Sequence, residues 1–277
     1  MSGLLDIKNL RVGFGAVTAI KGVSLSLHRG ARMGIVGESG SGKSTLGLAT
    51  LGLLPDFARC SGEVLFDGTA LPWDDDVAMA AVRGNRIGFV HQDPMSAFSP
   101  VHTIGTHLTR AYTSAHPGAS KSDAIKAAVD RLDEVEITDA KSRLGHYPHE
   151  YSGGMRQRVM IAAALIGNPE LLIADEPTTA LDVTTQAAVL RVMNDVVESR
   201  GMGLILITHD LGVVAEICSD VAVMYHGELI QHVSVGQIHE QAHSYTEALL
   251  KARPRPGMRG QRLPTIAELL PEGWSDV

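Results

Sequence analysis

The chain has 277 residues and a formal charge of −7, room for one large domain or a domain with a subdomain and an ample core. The acidic balance argues against a nucleic-acid partner, because gripping backbone phosphates asks for a basic face. Two cysteines, Cys60 and Cys218, stand far apart with no CxxC or histidine spacing. The expectation is a reduced intracellular protein with buried thiols and no structural zinc.

The N-terminus, Met1-Ser2-Gly3-Leu4-Leu5-Asp6-Ile7-Lys8, lacks the basic start and apolar core of a secretion signal. Alternation in Leu4-Leu5-Asp6-Ile7 and Val23-Ser24-Leu25-Ser26-Leu27 predicts antiparallel strands. Gly62-Glu63-Val64-Leu65-Phe66 and its Asp67-Gly68 turn join them. Four other runs are apolar throughout: Met33-Gly34-Ile35-Val36, Ile87-Gly88-Phe89-Val90, Leu171-Leu172-Ile173-Ala174 and Leu204-Ile205-Leu206-Ile207. Such runs read as strands of a parallel sheet buried on both faces, and ligands of these sheets sit beyond the carboxyl ends of the strands. Lys43, Gln92, Asp175, Glu176 and His209 follow the four runs, so they are expected around one site.

Residues about 93–155, between two of these strands, read as an inserted helical subdomain. Ser122 fits the N-cap of a helix with Ile125, Ala128, Val129, Leu132 and Val135 on one stripe. Val189, Val192, Met193, Val196 and Val197 mark a later helix that Gly201 closes. Val221-Ala222-Val223-Met224-Tyr225, His226-Gly227 and Glu228-Leu229-Ile230 predict a closing hairpin. From about residue 252, Arg253-Pro254-Arg255-Pro256-Gly257 predicts a linker or loosely held tail. No apolar stretch approaches the roughly 20 residues that span a bilayer. The chain is expected to be soluble alone and to reach a membrane only through partners.

The first apolar run enters Gly37, Glu38, Ser39, Gly40, Ser41, Gly42, Lys43, Ser44 and Thr45, which match the phosphate-loop pattern. Glycines let backbone N–H groups curl around phosphates, and the next helix begins there with its positive end. The ligand is therefore a nucleoside triphosphate, with Lys43 reaching its β and γ phosphates and the Ser44 hydroxyl on Mg²⁺. Asp175 ends a strand, as the carboxylate that organises Mg²⁺ does, and adjacent Glu176 suits a general base for the attacking water. Spacing alone gives Gln92 and His209 no role, since a lone histidine after a strand is more often a hydrogen-bonded structural residue.

Ser152-Gly153-Gly154-Met155-Arg156-Gln157-Arg158, upstream of the Asp175-Glu176 pair, resembles the signature motif of the ATP-binding cassette (ABC) ATPases. Thr179-Ala180-Leu181-Asp182 resembles their D-loop, Thr208-His209-Asp210 their histidine switch and Gln92 their Q-loop. The stretch from His146 to Ala162, the text from Asp175 to Thr184, Gln92-Asp93-Pro94-Met95 and His243-Ser244-Tyr245-Thr246 resemble the dipeptide, oligopeptide and nickel importer branch. Met155 stands where many cassettes carry Gln, and His91 where an aromatic is common. Residues 251–277 lack the cysteines of the longer tails in this branch, which removes an iron–sulfur centre from consideration.

The resemblance implies an α/β phosphate-loop domain over residues 1–250. It has a mainly parallel core sheet, an N-terminal antiparallel β subdomain, the helical insert, and a tail over 251–277. It implies an ATPase using ATP and Mg²⁺ and energising import of a small, peptide-like solute. Ser152, Gly153 and Gly154 would hold the γ-phosphate of ATP on an opposite subunit, and Asp182 would belong to that shared site. Phe14 would stack on adenine, although a core phenylalanine is the other reading. Gln92 would contact Mg²⁺, and His209 would bond the γ-phosphate and the water near Glu176. Expected partners are a second ATPase subunit, of the same or a different chain, and two membrane permeases, with an extracytoplasmic solute-binding protein acting indirectly. No nucleic acid is expected, and the chain would sit on the cytoplasmic face of the cell membrane. Pro94, Met95, Ala97 and Phe98 would supply apolar contact to a permease helix. A soluble cassette protein of DNA repair or translation is the rival reading, disfavoured by the single cassette, the lack of heptads and the acidic balance. A phosphate-loop kinase would leave Ser152 to Gln157 and His209 without purpose.

Overall fold

Runs apolar on both faces and runs that alternate sort into two different sheets. The structure, a computed structural model, describes residues 3–179, 181–252, 262 and 264–270. In chain order the first strands are β1 (Leu5–Phe14), β2 (Val17–Leu27), β3 (Arg32–Val36), β4 (Ala58–Phe66) and β5 (Thr69–Ala70). The later ones are β6 (Ile87–Val90), β7 (Leu171–Asp175), β8 (Gly203–Ile207), β9 (Asp220–Tyr225) and β10 (Glu228–Ser234). The antiparallel sheet has the order β2-β1-β4-β5, and the larger one β10-β9-β3-β8-β7-β6. In the larger sheet β6, β7, β8, β3 and β9 run parallel, and β10 returns antiparallel through His226-Gly227. Both turn residues have positive φ, as do Asp67 and Gly68 between β4 and β5. This is the twist that two-residue hairpins favour.

Helix α1 (Lys43–Thr50) follows β3, and α2 (Asp76–Ala80) precedes β6. Between β6 and β7 lie α3 (Pro94–Ala97), α4 (Ile104–Ala115), α5 (Lys121–Glu134), α6 (Ala140–Arg143) and α7 (Gly153–Leu165). Helices α8 (Val183–Ser199) and α9 (Leu211–Ile217) link the last parallel strands; α10 (Ser244–Lys251) and α11 (Ile266–Leu269) follow β10.

Register explains why the parallel strands carry no polar alternation. Met33, Ile205, Ile173 and Phe89 pair in one row across the sheet, and Gly34, Leu206, Ala174 and Val90 in the next. The first row faces the antiparallel sheet and α1, in one core with Leu5, Ile7, Val64, Phe66 and Leu46. Leu172, Ala174, Leu204 and Leu206 face the other side, against Val159 of α7 and Val189 and Met193 of α8. Burial of each such aliphatic side chain contributes about 1.5–3 kcal/mol. The inserted helices close no core of their own. Phe98, Ile104, Leu108, Ala128 and Leu132 join the same apolar cluster as the sheet.

Several expectations are corrected. The N-cap of α5 is Ser120, not Ser122: Ser120 Oγ accepts the Asp123 N–H at 3.1 Å while Asp123 accepts the Ser120 N–H, a capping box. The buried stripe is correspondingly Ala124, Ala128 and Leu132, and Ile125 is exposed. Cys60 is exposed on β4, and only Cys218 is buried. Phe98 is 6% exposed and Pro94 buried, so only Met95 and Ala97 of the expected permease contact are open to a partner. Residues 253–257 of the expected tail, Ala180 of the D-loop, and Met1 and Ser2 lie outside the described residues. Further along, Ile266 and Leu270 pack on the larger core. Gly201, with φ +59, does end α8.

The capping assignment is testable by chemical denaturation. Ser120→Ala should lower stability by about 1 kcal/mol, whereas Ser122→Ala, inside the first turn, should be close to neutral. Equal losses would return the cap to Ser122.

Candidate functional site

Because β3, β6, β7 and β8 run parallel and in register, the residues after their ends meet at one edge of the sheet. A cleft of about 590 Å³ opens there, lined among others by Ser39, Gly40, Gly42, Lys43, Ser44, Thr45, Gln92, Glu176 and His209. Gly37 and Gly42 make its floor possible. Both have positive φ, and a Cβ would stand 2.2 Å from the Met224 carbonyl oxygen at Gly37 and 2.7 Å from that of Ala19 at Gly42. Helix α1 starts at this floor without a side-chain cap, so its first N–H groups face the cleft without intrahelical acceptors.

Lys43 is buried and folded back on the loop, its Nζ donating to the carbonyls of Gly37 (2.9 Å) and Glu38 (2.7 Å). Burial lowers its pKa, against the opposing fields of Glu176, Asp175 and Glu38. Ser44 Oγ donates to Asp175 Oδ1 at 2.9 Å, tying the loop to the end of β7. Burial raises the Asp175 pKa; the Ser44 hydrogen bond opposes the rise, Glu176 adds to it, and Lys43 offsets it.

Glu176 gathers the other polar groups. Gln92 Nε2 donates to its Oε2 at 3.1 Å and Thr179 Oγ1 to the same oxygen at 2.7 Å, while His209 Nδ1 lies 3.4 Å from Oε1. Its φ of +44 is left-handed, a conformation that costs a non-glycine residue about 1 kcal/mol or more. The Glu176 N–H, donating to the Ile207 carbonyl at 2.9 Å, holds it there. The result is a carboxylate fixed at the cleft by three side chains from three separate segments.

The donor set fits a triphosphate: loop N–H groups, a buried ammonium, and the Ser41 hydroxyl, which is buried without a partner among the described residues. For a metal, no group of three or more His, Cys, Asp or Glu side chains could cage one among the described residues. The Ser44 hydroxyl and Asp175 carboxylate are instead a sparse oxygen pair, a donor type that would suit Mg²⁺ bound alongside phosphates.

Other expected site residues lie elsewhere. Ser152 caps α7 by accepting the Met155 N–H. With Gly154, Met155, Arg158, Thr184 and Thr185 it lines a second depression of about 250 Å³ that shares no residue with the cleft. Gly153 opens α7 with Leu181 close by, and at Gly154 a Cβ would stand 2.3 Å from Thr185 Cγ2. Asp182 caps α8, accepting from the Thr185 N–H (3.0 Å) and hydroxyl (2.8 Å), and these bonds lower its pKa. Phe14 meets Phe57 edge to face at 6.1 Å and is not among the cleft-lining residues. Two contacts escaped the sequence reading: Thr179 on Glu176, and the buried Tyr245, whose hydroxyl accepts the Glu38 N–H at 3.1 Å. Tyr245 sits in a stretch noted only for its branch likeness, so no phosphate chemistry pointed to it.

A family profile described as ABC transporter matches residues 20–179. The chain belongs to the ABC transporter family. Within it, the chain is 46% identical over 276 residues to the "Probable peptide ABC transporter ATP-binding protein y4tR" of Sinorhizobium fredii, covering 97% of this chain and 82% of that protein. It is 44% identical to the oligopeptide transport ATP-binding protein OppD of Haemophilus influenzae, covering 96% and 84%. Among solved structures it resembles the dimeric ATP-binding cassette MJ0796 in a post-hydrolysis state with ADP and Pi: TM-score 0.73, 28% identity, 83% of this chain and 98% of that one. CbiO1 of Clostridium perfringens shares the fold at TM-score 0.74 and 24% identity, over 91% of this chain and 96% of that one. As an ABC ATPase, the chain binds and hydrolyses ATP. No described helix is long and apolar enough to cross a membrane.

Removing the buried ammonium should remove the nucleotide site. Lys43→Ala should weaken ATP binding beyond detection in a calorimetric titration, because the β and γ charges lose their cation in a partly dehydrated cleft. Unchanged affinity would move the nucleotide to another place.

Proposed function

We propose that this chain is the energising subunit of a peptide importer, pairing head to tail with a second ATPase subunit beneath two permeases. The observation that carries the reading is the separation, on one chain, of the phosphate-loop cleft from the depression beside Ser152 and Gly154. The phosphate loop and Glu176 line one cleft, and the signature residues line another depression. A helix start such as that of α7, with Ser152, Gly153 and Gly154, offers N–H groups to an anion, but not to an anion in its own cleft. In a head-to-tail pair the partner's signature would complete that cleft. Asp182 would lie in the shared seam and Phe14 beside the adenine.

In this reading Lys43 and the loop N–H groups hold the β and γ phosphates, with Thr45 beside them. Ser44 and Asp175 would hold Mg²⁺, with Gln92 in reach, and the ion would neutralise charge on the phosphates. Glu176 accepts a proton from the attacking water while Gln92, Thr179 and His209 fix its direction. His209 would also bond the γ-phosphate. Peptide cargo is supported by the names of the relatives in Sinorhizobium fredii and Haemophilus influenzae. A solute-binding protein would deliver the cargo from outside, and the chain would sit peripherally on the cytoplasmic face of the cell membrane. Residues 1–250 would act as one nucleotide-binding domain carrying the helical insert at about 93–155, followed by the tail.

The permease contact is supported by a shallow apolar groove of about 240 Å³ beside β6, lined by Leu53, Phe89, His91, Ala97, Phe98 and Met160 among others. His91 meets Phe89 edge to face at 4.6 Å, and burial lowers its pKa.

Glu176→Gln should retain ATP binding, lower turnover by a factor of about 10² or more and accumulate an ATP-stabilised dimer. Near-normal steady-state hydrolysis would remove Glu176 from the chemistry. For the groove, Ala97→Glu, at an exposed position of its lining, should abolish co-sedimentation with membranes containing the co-expressed permeases and leave ATP binding intact. Co-sedimentation at the wild-type level would place the docking surface elsewhere.

A further inference from the structure

The C-terminal part of the chain reaches the phosphate loop through Tyr245, which is not among the cleft-lining residues. Tyr245 of α10 is fully buried, and its hydroxyl oxygen accepts the N–H of Glu38, the second residue of the loop, at 3.1 Å. Burial pushes the phenol up to about 12, with the Glu38 carboxylate contributing, so the hydroxyl stays neutral.

The seat of Tyr245 is built rather than incidental. Its ring packs on Tyr225 of β9 with centroids 4.5 Å apart. Thr246 Oγ1 and the His243 N–H both donate to Gln231 Oε1, and Gln231 Nε2 donates to the Gln241 carbonyl. These bonds make β10 and α10 one unit. The neighbouring β9 and its turn into β10 touch the loop twice more: the Gly227 N–H donates to the Ser41 carbonyl at 3.0 Å, and the Met224 carbonyl backs Gly37. Ordering a free backbone residue costs conformational entropy. A loop curled before its ligand arrives removes that cost from binding.

We propose that Tyr245 is a positioning residue for ATP. Its hydroxyl holds the Glu38 segment in the curl that presents the loop N–H groups, so the C-terminal helix sets nucleotide affinity without touching nucleotide. The inference rests on residues 37–45 being the ATP phosphate cradle.

Tyr245→Phe in the full chain removes the hydroxyl, keeps the ring, and leaves the Glu38 N–H unsatisfied. We expect KM for ATP and the Kd of ATP and of ADP to rise roughly five- to tenfold, the effect of one such bond, with kcat within about twofold. A tyrosine that served packing alone would reduce the active fraction, lowering kcat and leaving KM fixed. That pattern, or unchanged Kd and KM, overturns the proposal. Hydrogen exchange gives a second reading that needs no variant: in the nucleotide-free wild type the Glu38 amide should be protected, and exchange at the rate of a free amide overturns the proposal. Lys43→Ala separates the two levels of inference. If it binds ATP like wild type, the cradle reading falls and this inference with it. If it does not bind, while Tyr245→Phe binds like wild type, only the role of Tyr245 falls.

Discussion

Everything at the nucleotide edge depends on burying both faces of the same parallel strands. Met33, Ile173 and Ile205 are held against the antiparallel sheet, and Leu172, Leu204 and Leu206 against α7 and α8. A strand packed from two sides cannot slip by one residue, since the slip would exchange its two sets of side chains. Parallel pairing then brings all the carboxyl ends to one edge. The ends of β3, β6, β7 and β8 deliver the phosphate loop, Gln92, the Asp175-Glu176 pair and His209 within hydrogen-bond reach of one another. The hydrophobic effect supplies the energy of this arrangement, and the register supplies its geometry.

Within that frame the cleft is an electrostatic compromise. Lys43 and Asp175 are both taken out of water, and each is opposed by burial. Each is also partly compensated by the other's field, Asp175 further by the Ser44 hydroxyl and Lys43 by loop carbonyls. A buried cation with its ammonium turned onto its own loop carbonyls is stabilised by them, yet can exchange them for anionic oxygens. Glu176 stands at the exposed side of the same group, in a strained backbone conformation that three side chains and one strand carbonyl hold in place.

Much of this was legible beforehand for a physical reason. Doubly buried strands write continuous apolar runs, and a backbone cradle for phosphates needs glycines at fixed intervals. Both signals are local. What was misread depends on small or distant effects. Ser120 and Ser122 both precede helix-forming text, and only the reciprocal bond with Asp123 distinguishes them. Ala124 gives less hydrophobic signal than Ile125, although it is the one facing the core. Phe98 reads equally well as a surface anchor or a core residue, because it follows a helix only four residues long. Tyr245 and Glu38 are 207 residues apart, and no spacing rule joins them.

The two cysteines, dissimilar in setting, make the chain chemically addressable. Cys218 is buried and its thiol is pushed up to about 12, so almost no thiolate is present near neutrality. Cys60 is exposed on β4 of the antiparallel sheet. A thiol-reactive spin label or fluorophore should therefore attach at one defined point without prior mutagenesis. Since β4 pairs directly with β1, the label would ride on a hydrogen-bonded strand rather than on a loop. Distances measured between two labelled chains would then report the separation of their antiparallel sheets.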